Sequence, residues 1–292
     1  MLWAHGILEA DACSVGSTIG LERAFRIYII ERHGLVWDTR VAPARSAGGA
    51  GLDVLYVVLE GAMRWHDDGL AIAAGSACLA TEEQVDGSGG TRRHTFATPG
   101  AAFRCVELRF AGGHSVAAPR LVTPSADTFA ACAELVRARE TDRDAAAARL
   151  LATLAELAPG LAITAAEPPH LARCWAALEP HFMQLQPAPS LQEIADRAGI
   201  SVRQLSRDVV DLLNTFAIGL GDSFRDVVSD VRLRWAVLLL SAPALPIHEI
   251  ARASGYGSLQ ALGRAFRDAG LPSPSAVRKL YGQVVDVTKL VA

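Results

Sequence analysis

The feature that most constrains the fold is a short motif that occurs twice in the last third of the 292-residue chain. The first copy is SLQEIADRAGISVRQLSR (190–207), and the second is PIHEIARASGYGSLQALGR (246–264). Both copies contain E-I-A-x-x-x-G followed by S-x-x-x-L-x-R, with one extra residue in the second copy. A repeated pattern of small, apolar and capping residues predicts that one supersecondary unit occurs twice.

Each position of the motif suits a turn between two helices. The Ile-Ala pair places a small residue where a second helix crosses closely, and Gly199 or Gly255 can adopt the left-handed conformation that ends the first helix. Ser201 and Ser258 suit the N-cap of the second helix, and the Leu four residues later anchors that helix in the core. The motif therefore predicts two helix-turn-helix units, whose second helices are the ones that enter a DNA major groove.

The segment between the two units is SFRDVVSDVRLRWAVLLLSAP (223–243), which carries a broad apolar stripe and ends at Pro243. A helix of this length could hold the two units about one duplex turn apart, roughly 34 Å, on one face of DNA. The alternative is a plain helical bundle that uses similar turns. That alternative does not require an arginine at the same place in both second helices, so we favour the two DNA-binding units.

The C-terminal part of the sequence carries a specific family resemblance. The stretch 173–281 resembles the DNA-binding domain of AraC/XylS-type transcriptional regulators through LQEIADRAGISVRQLSR, SFRDVVSDVRLRWAVLLL, IHEIARASGYGSLQALGRAFRDAG and PSAVRKL. The resemblance implies two units that insert recognition helices into successive major grooves of promoter or operator DNA, in proteins that act mainly as transcription activators. It covers a little over a third of the chain.

The resemblance also implies which side chains face the bases. In the first recognition helix they are Val202, Arg203, Ser206 and Arg207, and in the second they are Leu259, Gln260, Ala261 and Arg264. Arginine can contact guanine in a bidentate manner or grip phosphate, glutamine suits adenine, and leucine and alanine offer only apolar contacts. We therefore expect the first unit to discriminate more between bases. The competing interpretation of each arginine is a solvated or internally paired side chain, and Gln204 is expected to point elsewhere.

Two departures from the family pattern concern spacing. The stretch DVVDLLNTFAIGLGD (208–222) is about seven residues longer than the family pattern, and AGLPSPSAVR carries one additional residue. Ala261-Leu262 replaces the family's usual aromatic partner after the second turn. Two extra helical turns or a loop at 208–222 would change the spacing or angle of the two units.

The first part of the chain has a β pattern. The segments at 24–32, 34–41, 52–61 and 102–110 are short and rich in Val, Ile, Tyr and Phe, and Gly/Ser/Pro clusters separate them, which favours an antiparallel barrel or sandwich. From 125 to 159 the apolar spacing becomes helical and predicts two helices, which either pack on the β domain or pair with another subunit. We expect three parts: a β domain at 1–120, a helical dimerisation or linker segment at 121–165, and a DNA-binding domain at 170–285. The predicted fold class is α+β.

The same family commonly carries a cupin-like barrel as a sensor domain, and LDVLYVVLEGAMRWHDDGLAIAAGSACLATEE (52–83) resembles its central strands. Metal-binding cupins place an H-x-H pair with a Glu on one strand. Here that strand has no histidine, and His66 and His94 are isolated, so we expect neither a metal nor another cofactor. A small-molecule effector in the barrel mouth would contact some of seven candidate residues, each of which could instead be a structural residue. They are Trp37, Arg40, Tyr56, Arg64, Trp65, Arg104 and Glu107.

Charge and cysteine content bear on partner and compartment. The chain has a net charge of −3, but residues 1–169 contain 15 Arg against 20 Asp and Glu (−5), and residues 170–292 contain 13 Lys and Arg against 11 acidic residues (+2). The asymmetry predicts different partners for the two parts. Five widely spaced cysteines without a C-x-x-C pair indicate buried free thiols. With neither a secretory leader nor a membrane span in the pattern, we expect a cytoplasmic protein.

Together these features predict a non-enzymatic bacterial transcription regulator that senses a small molecule and binds double-stranded DNA. We expect a homodimer and, as a further partner, RNA polymerase. Two other classes of protein fit the sequence less well. A cupin-type enzyme with a helical appendage lacks the metal ligands and any G-x-S-x-G or paired-carboxylate pattern, and a DNA-repair alkyltransferase would need a reactive cysteine with zinc-type spacing.

Overall fold

The computed structural model describes residues 1–10, 13–43, 52–65, 69–86, 94–96, 102–112, 118–163, 167–181, 189–219 and 221–284. Over these residues the first part of the chain is antiparallel β structure, and the last part is helical. The predicted α+β class is confirmed.

Eleven strands are described, and they form two antiparallel sheets. The strands are β1 (Leu2–Ala10), β2 (Cys13–Leu21), β3 (Phe25–His33), β4 (Trp37–Asp38), β5 (Asp53–Glu60), β6 (Ala62–Trp65), β7 (Ala71–Ala73), β8 (Ser76–Thr81), β9 (His94–Phe96), β10 (Ala102–Phe110) and β11 (Arg120–Val122). The longer sheet has the order β1-β2-β3-β10-β5-β8-β11, and the shorter has the order β4-β9-β6-β7.

Ten helices accompany the strands in the described ranges. They are α1 (Glu82–Asp86), α2 (Ala126–Arg137), α3 (Arg143–Thr153), α4 (Pro169–Leu178), α5 (Leu191–Ala198), α6 (Val202–Thr215), α7 (Phe224–Leu239), α8 (Ile247–Ala253), α9 (Leu259–Asp268) and α10 (Pro274–Val284). Short 3-10 turns occur at Thr39–Val41, Glu140–Asp142 and Glu179–His181.

Three of the four predicted strands, at 24–32, 52–61 and 102–110, correspond to β3, β5 and β10. The prediction for 34–41 was largely wrong, because only the two residues of β4 are extended there. The chain then turns because the Asp38 carboxylate accepts hydrogen bonds from the backbone N–H and the guanidinium of Arg40, at 2.9 and 2.5 Å. The sequence reasoning also missed the hairpin of β1 and β2, which pair over nine residues each.

The two sheets pack face to face through one core. It contains Tyr56 and Cys105 from the longer sheet and Met63, Trp65 and Ile72 from the shorter one, all buried. Within the described residues, backbone hydrogen bonds do not close the strands into a single ring. The predicted antiparallel β domain is therefore present as two layers.

The opposite face of the longer sheet is covered by the hairpin of α2 and α3. Ser125 caps α2 by accepting a hydrogen bond from the backbone N–H of Thr128. The side chains that meet between helices and sheet are fully or almost fully buried, and burial of each large apolar one contributes about 2 kcal/mol. They include Phe25, Ile27, Ile29, Val106, Leu108 and Phe110 from the strands and Cys132, Leu135, Leu150 and Leu151 from the helices. The helices of this segment therefore pack on the β domain within the chain.

The helical part contacts the β domain at two places. Around α4 and α6, Ala4 and Leu21 of the first hairpin share a core with Trp175, and the indole N–H of Trp175 donates a 2.8 Å hydrogen bond to the carbonyl of Trp3. Around α7 and α10, Leu35, Val36 and Val41 share a core with Val277 and Tyr281. Both helix-turn-helix units thus rest on the side of the β domain that β1, β2 and the segment around β4 form.

Candidate DNA-binding surface and ligand site

The first helix-turn-helix unit consists of α5 and α6, and side-chain caps fix both ends of its turn. Ser190 and Glu193 form a capping box at the start of α5, with the Ser190 N–H donating to the Glu193 carboxylate at 2.6 Å. Gly199 ends α5 at φ 65°, in the left-handed region. The Ser201 hydroxyl then accepts a 3.2 Å hydrogen bond from the backbone N–H of Gln204 and begins α6.

The second unit, α8 and α9, repeats this arrangement. Gly255 has φ 81°, and the Ser258 hydroxyl accepts a 3.1 Å hydrogen bond from the backbone N–H of Ala261. Leu205 and Leu262, each four residues after its capping serine, are completely buried. The predicted roles of the glycines, serines and leucines are confirmed. The second helices of the two units, α6 and α9, therefore begin and pack in equivalent ways.

The polar side chains predicted to face DNA lie on the solvent side of these helices. Arg203, Arg207, Gln260 and Arg264 are exposed, and Arg207 and Arg264 both lie six residues after the capping serine. Arg203 and Arg264 make no hydrogen bond or ion pair with any described residue. Guanidinium groups held out on equivalent helices are suited to bind phosphate or guanine.

The other predicted DNA-facing residues differ in their exposure. Leu259 is 49% exposed, which is unusual for a leucine, whereas Val202 and Ala261 are half-buried. The Ser206 hydroxyl donates a 2.9 Å hydrogen bond to the carbonyl of Val202, so it is engaged with its own helix.

Arg207 is held in place by a chain of side chains that starts in the core. The Gln204 amide accepts a 2.6 Å hydrogen bond from the Arg207 guanidinium and donates a 2.5 Å hydrogen bond to the Asp208 carboxylate. Asp208 is buried and lies 3.7 Å from the guanidinium of Arg173 on α4. Gln204 therefore bonds within its own helix and fixes the position of the exposed Arg207 guanidinium.

The connecting helix α7 joins the cores of the two units. Its first half contributes Phe224, Val227 and Val231 to the core around α6, and its second half contributes buried side chains to the core around α8 and α9. The long segment 208–222 is partly helix, because α6 continues to Thr215, and partly a turn, in which Ala217 has φ 48°. Residue 220 lies outside the described residues.

In the β domain, four of the seven candidate ligand residues lie between the sheets. Trp37, Tyr56 and Trp65 belong to or pack against the inter-sheet core, and Glu107 points to the same side of β10 as the core residue Cys105. The register places Tyr28, Glu107 and Tyr56 side by side across β3, β10 and β5. These residues form a packed, mainly aromatic cluster with one buried carboxylate.

The remaining three candidates do not join this group. Arg104 lies on the helix-covered face, half-exposed, and forms ion pairs with Glu31 at 2.9 Å and Glu60 at 3.5 Å. Arg40 is 44% exposed and engages Asp38. Arg64 follows Met63 on β6, and its Nε atom is buried without a hydrogen-bond partner among the described residues.

Sequence reasoning missed a buried charge network at one end of the inter-sheet space. Arg26 and Arg109 are directly opposite each other on β3 and β10, and each is 2% exposed. Both donate to the same oxygen of Glu82, at 2.7 and 2.9 Å, and Arg109 also donates to Glu107 at 2.5 Å. Two like charges in direct cross-strand register require such carboxylates. In the sequence, Arg26, Glu107 and Arg109 occupy the alternate strand positions that face the other sheet, and this alternation was the available signal.

Burial also acts on other ionisable groups. It lowers the pKa of Arg32, which lies 5.7 Å from the Trp37 ring centre, to about 10. All five cysteines are buried free thiols, as predicted, and burial raises the pKa values of Cys132 and Cys174 to about 12. Thiols with such pKa values stay protonated and unreactive at neutral pH.

The described residues were predicted to contain neither a metal site nor a membrane span. No group of three or more His, Cys, Asp or Glu side chains is arranged to hold a metal ion there. His94 lies in β9, and His66 lies outside the described residues. No helix in the described ranges is long and apolar enough to cross a membrane.

Comparisons with known proteins agree with the geometry of the C-terminal units. Residues 194–280 match the family model described as a helix-turn-helix domain. The chain is 30% identical to the C-terminal domain of AraT, a response regulator from Geobacillus stearothermophilus, over 39% of this chain and 86% of that one, with a TM-score of 0.32. A comparison with curated protein sequences gives no match.

Two further solved structures are similar at lower identity. ToxT from Vibrio cholerae is 11% identical over 87% of this chain and 98% of its own, with a TM-score of 0.35. A DNA-binding transcriptional dual regulator from Escherichia coli K-12 is 18% identical over 41% of this chain and 98% of its own, with a TM-score of 0.31.

The repeated helix-turn-helix units, with their caps and outward arginines, define a DNA-binding transcription regulator. The match to the family model shows that the C-terminal part of the chain contains a helix-turn-helix domain of the AraC type.

Proposed function

We propose that α6 and α9 enter successive major grooves and read a specific operator sequence. The observation that carries this proposal is the equivalence of Arg207 and Arg264, which both project from a second helix six residues after its capping serine. Arginines at matched positions on two supported helices give two similar contacts to a duplex. A helical bundle without a nucleic-acid partner gives no reason for that match.

The side chains contribute differently in this proposal. Arg203 and Arg264 bind guanine edges or phosphates, Arg207 is pre-oriented by Gln204, and Gln260 recognises adenine. Leu259 provides an apolar contact such as one to a thymine methyl group. Val202, Ser206 and Ala261, which are half-buried, contribute contact area at the edge of the interface.

The test begins with selection of a binding duplex from a random-sequence library, followed by measurement of its affinity for variants. We expect Arg203→Ala and Arg264→Ala each to weaken binding by about tenfold or more, since a base contact contributes roughly 1–3 kcal/mol. Loss of a phosphate contact would also reduce the slope of log K against log salt by about 1. Arg139→Ala, which removes an exposed arginine between α2 and α3, is the control. Affinity and salt slope that are unchanged in both recognition-helix variants would show the assignment to be wrong.

We further propose that the β domain binds a small-molecule effector between its two sheets. The support is the aromatic cluster of Trp37, Tyr56 and Trp65, which lies next to the buried pair of Glu107 and Arg109. Side chains of this kind suit a compound with an apolar body and one polar group. Arg40, Arg64 and Arg104 are not part of this cluster and have at most an indirect role.

Thermal denaturation of the full chain against a set of metabolites tests the effector proposal. A true ligand raises the unfolding midpoint in a concentration-dependent way, because it binds only the folded state. Tyr56→Phe should reduce that shift, and Arg139→Ala, which changes an exposed side chain between α2 and α3, should not. A ligand whose shift is the same in both variants does not bind at the proposed place.

The oligomeric state and the cellular compartment of the chain are also part of the proposal. We propose a cytoplasmic, non-catalytic regulator that binds DNA as a homodimer, because a net charge of +2 in the DNA-binding part provides little phosphate attraction for one copy. Sedimentation velocity with and without operator DNA tests the dimer, and one copy per operator would contradict it. Transcription in vitro with purified RNA polymerase distinguishes activation from repression.

A further inference from the structure

A small pocket, partly open to solvent, lies in the DNA-binding domain, away from the core between the two sheets of the β domain. Its volume is about 270 Å³. One face of α7 provides most of its lining, and the turn between α8 and α9 provides the rest. The lining residues are Phe224, Arg225, Val228, Ser229, Arg232 and Tyr256.

Three of the polar groups in this cavity lack partners. The Tyr256 hydroxyl and the Arg232 Nε atom are both buried without a hydrogen-bond partner among the described residues. Arg225 has neither an ion pair nor a hydrogen bond with any described residue. A buried polar group that makes no hydrogen bond costs stability, so groups of this kind call for a ligand or water.

The charges around the cavity have one dominant sign. Asp230 is the acidic residue that acts on Tyr256, but its carboxylate is engaged by Arg234. The guanidinium groups of Arg225 and Arg232 are therefore not neutralised by it. Burial raises the pKa of Tyr256 to about 12, so the hydroxyl remains a hydrogen-bond donor at neutral pH. The cavity thus offers donors and positive charge to whatever occupies it.

The other walls are apolar. Phe224 and Val228 lie one turn apart on α7, on the same side as Arg225 and Ser229. A DNA phosphate would use the exposed Arg225 but could not satisfy the buried Tyr256 hydroxyl or occupy the apolar wall. A small molecule with both an anionic and an apolar end can do both.

We propose that this cavity is a second ligand site, which binds a small amphipathic anion such as an aromatic carboxylate. The anionic end accepts hydrogen bonds from Arg232, Tyr256 and Arg225, and the apolar end packs on Phe224 and Val228. Because the lining joins the connecting helix to the turn of the second unit, the ligand holds α9 in a fixed relation to α7. The site is separate from the proposed effector site of the β domain, and either can fail without the other.

Isothermal titration calorimetry of the full chain tests the site, with phenylacetate as the probe and phenylacetamide as its neutral counterpart. We expect phenylacetate to bind at millimolar concentration or below, and phenylacetamide to bind at least about tenfold more weakly because it lacks the charge. Tyr256→Phe should weaken phenylacetate binding by about tenfold, and Arg232→Met by more, since it removes a charged donor. Arg139→Ala should bind phenylacetate as the unchanged chain does.

Tyr256→Phe is conservative, and circular dichroism establishes whether each variant is folded. If Arg232→Met does not fold, Arg225→Met serves in its place. Two results would overturn the proposal. The first is phenylacetate binding that survives the Tyr256 and arginine changes but is lost in Tyr56→Phe. The second is absence of binding together with a lower DNA salt slope in Arg225→Met, which would identify the cavity as a phosphate contact.

Discussion

The guanidinium of Arg26, on strand β3, donates a hydrogen bond to the carbonyl of Ala217, which lies 191 residues later and two residues after the end of α6. Arg26 is also ion-paired with Glu82 inside the β domain. One side chain therefore links the buried charge network of the proposed sensor to the end of the first recognition helix. A cation at a helix C-terminus is also favourable for the helix dipole.

This relationship predicts that Arg26→Met destabilises the chain. The change leaves Glu82 and the Ala217 carbonyl without one donor each, and breaking a buried ion pair costs about 3–5 kcal/mol. Chemical denaturation measures the loss, and hydrogen exchange should become faster at the Phe216 and Ile218 amides. Arg104→Met is the control, because its ion pairs are half-exposed and such pairs contribute less than about 1 kcal/mol. Equal losses in the two variants would contradict a special role of Arg26.

A second prediction concerns two glycines whose substitution by alanine should have opposite effects. Neither Gly199 nor Gly263 has an atom within 4 Å of an added Cβ, so space does not decide the outcome. Gly199 has φ 65°, where alanine costs about 1–2 kcal/mol. Gly263 is inside α9, where alanine is favoured over glycine by about 1 kcal/mol. Urea denaturation should therefore show Gly199→Ala to be less stable and Gly263→Ala to be more stable, and a change of the same sign in both would refute the argument.

The helical part was largely predictable because its determinants are local. Ser201 and Ser258 each cap a helix whose first residues follow directly in the sequence, and Gly199 ends the helix that precedes it. A motif of about 18 residues therefore specifies both the elements and the side that faces solvent, and its repetition excludes a chance occurrence.

The β part was less predictable because its determinants are distant in sequence. Strands β1 and β2 contain Gly6, Gly16 and Gly20, which weaken the local pattern, and only pairing with each other and with β3 specifies them. The charge network likewise needs Arg26, Glu82 and Arg109 to be brought together from three separate elements. No local pattern shows which charged side chains point between the sheets.

A third prediction concerns pH and His181, in the turn after α4. Its Nε2 atom lies 2.6 Å from a guanidinium nitrogen of Arg197, which donates to the neutral ring. Burial and the positive charge of Arg197 lower the pKa of His181 below its ordinary value of 6.5, and Glu193 opposes them only weakly. In the unfolded chain His181 therefore takes up a proton at higher pH than in the folded chain. The resulting contribution of His181 to folding stability is fully present above pH 6.5, the ordinary pKa of the unfolded chain. It is lost as the pH falls through the lower pKa of the folded state.

Urea denaturation at about pH 7.5 and about pH 5.5 measures this effect. The free energy of unfolding should decrease more at the lower pH in the unchanged chain than in His181→Gln, which keeps a hydrogen-bond acceptor but cannot titrate. Titration of the His181 ring proton signals by NMR gives the pKa directly. A value above 6.5 would show that the carboxylate of Glu193 dominates instead.

The last prediction separates the orientation of Arg207 from its charge. Gln204 holds the Arg207 guanidinium through a 2.6 Å hydrogen bond and is itself fixed by Asp208. Gln204→Leu should therefore leave the arginine charged but mobile. Binding to the selected operator should weaken by about tenfold, the effect of losing one hydrogen bond to a charged group, because a bidentate base contact needs a fixed guanidinium.

Affinity for non-specific DNA and the salt slope should change little in Gln204→Leu, because the number of charges is the same. Gln192→Leu is a matched control, since Gln192 also donates from its amide to an aspartate four residues later, Asp196, but on α5. That control should bind operator and non-specific DNA as the unchanged chain does. If Gln204→Leu weakened operator and non-specific binding to the same extent, Gln204 would support the fold of α6 rather than base recognition by Arg207.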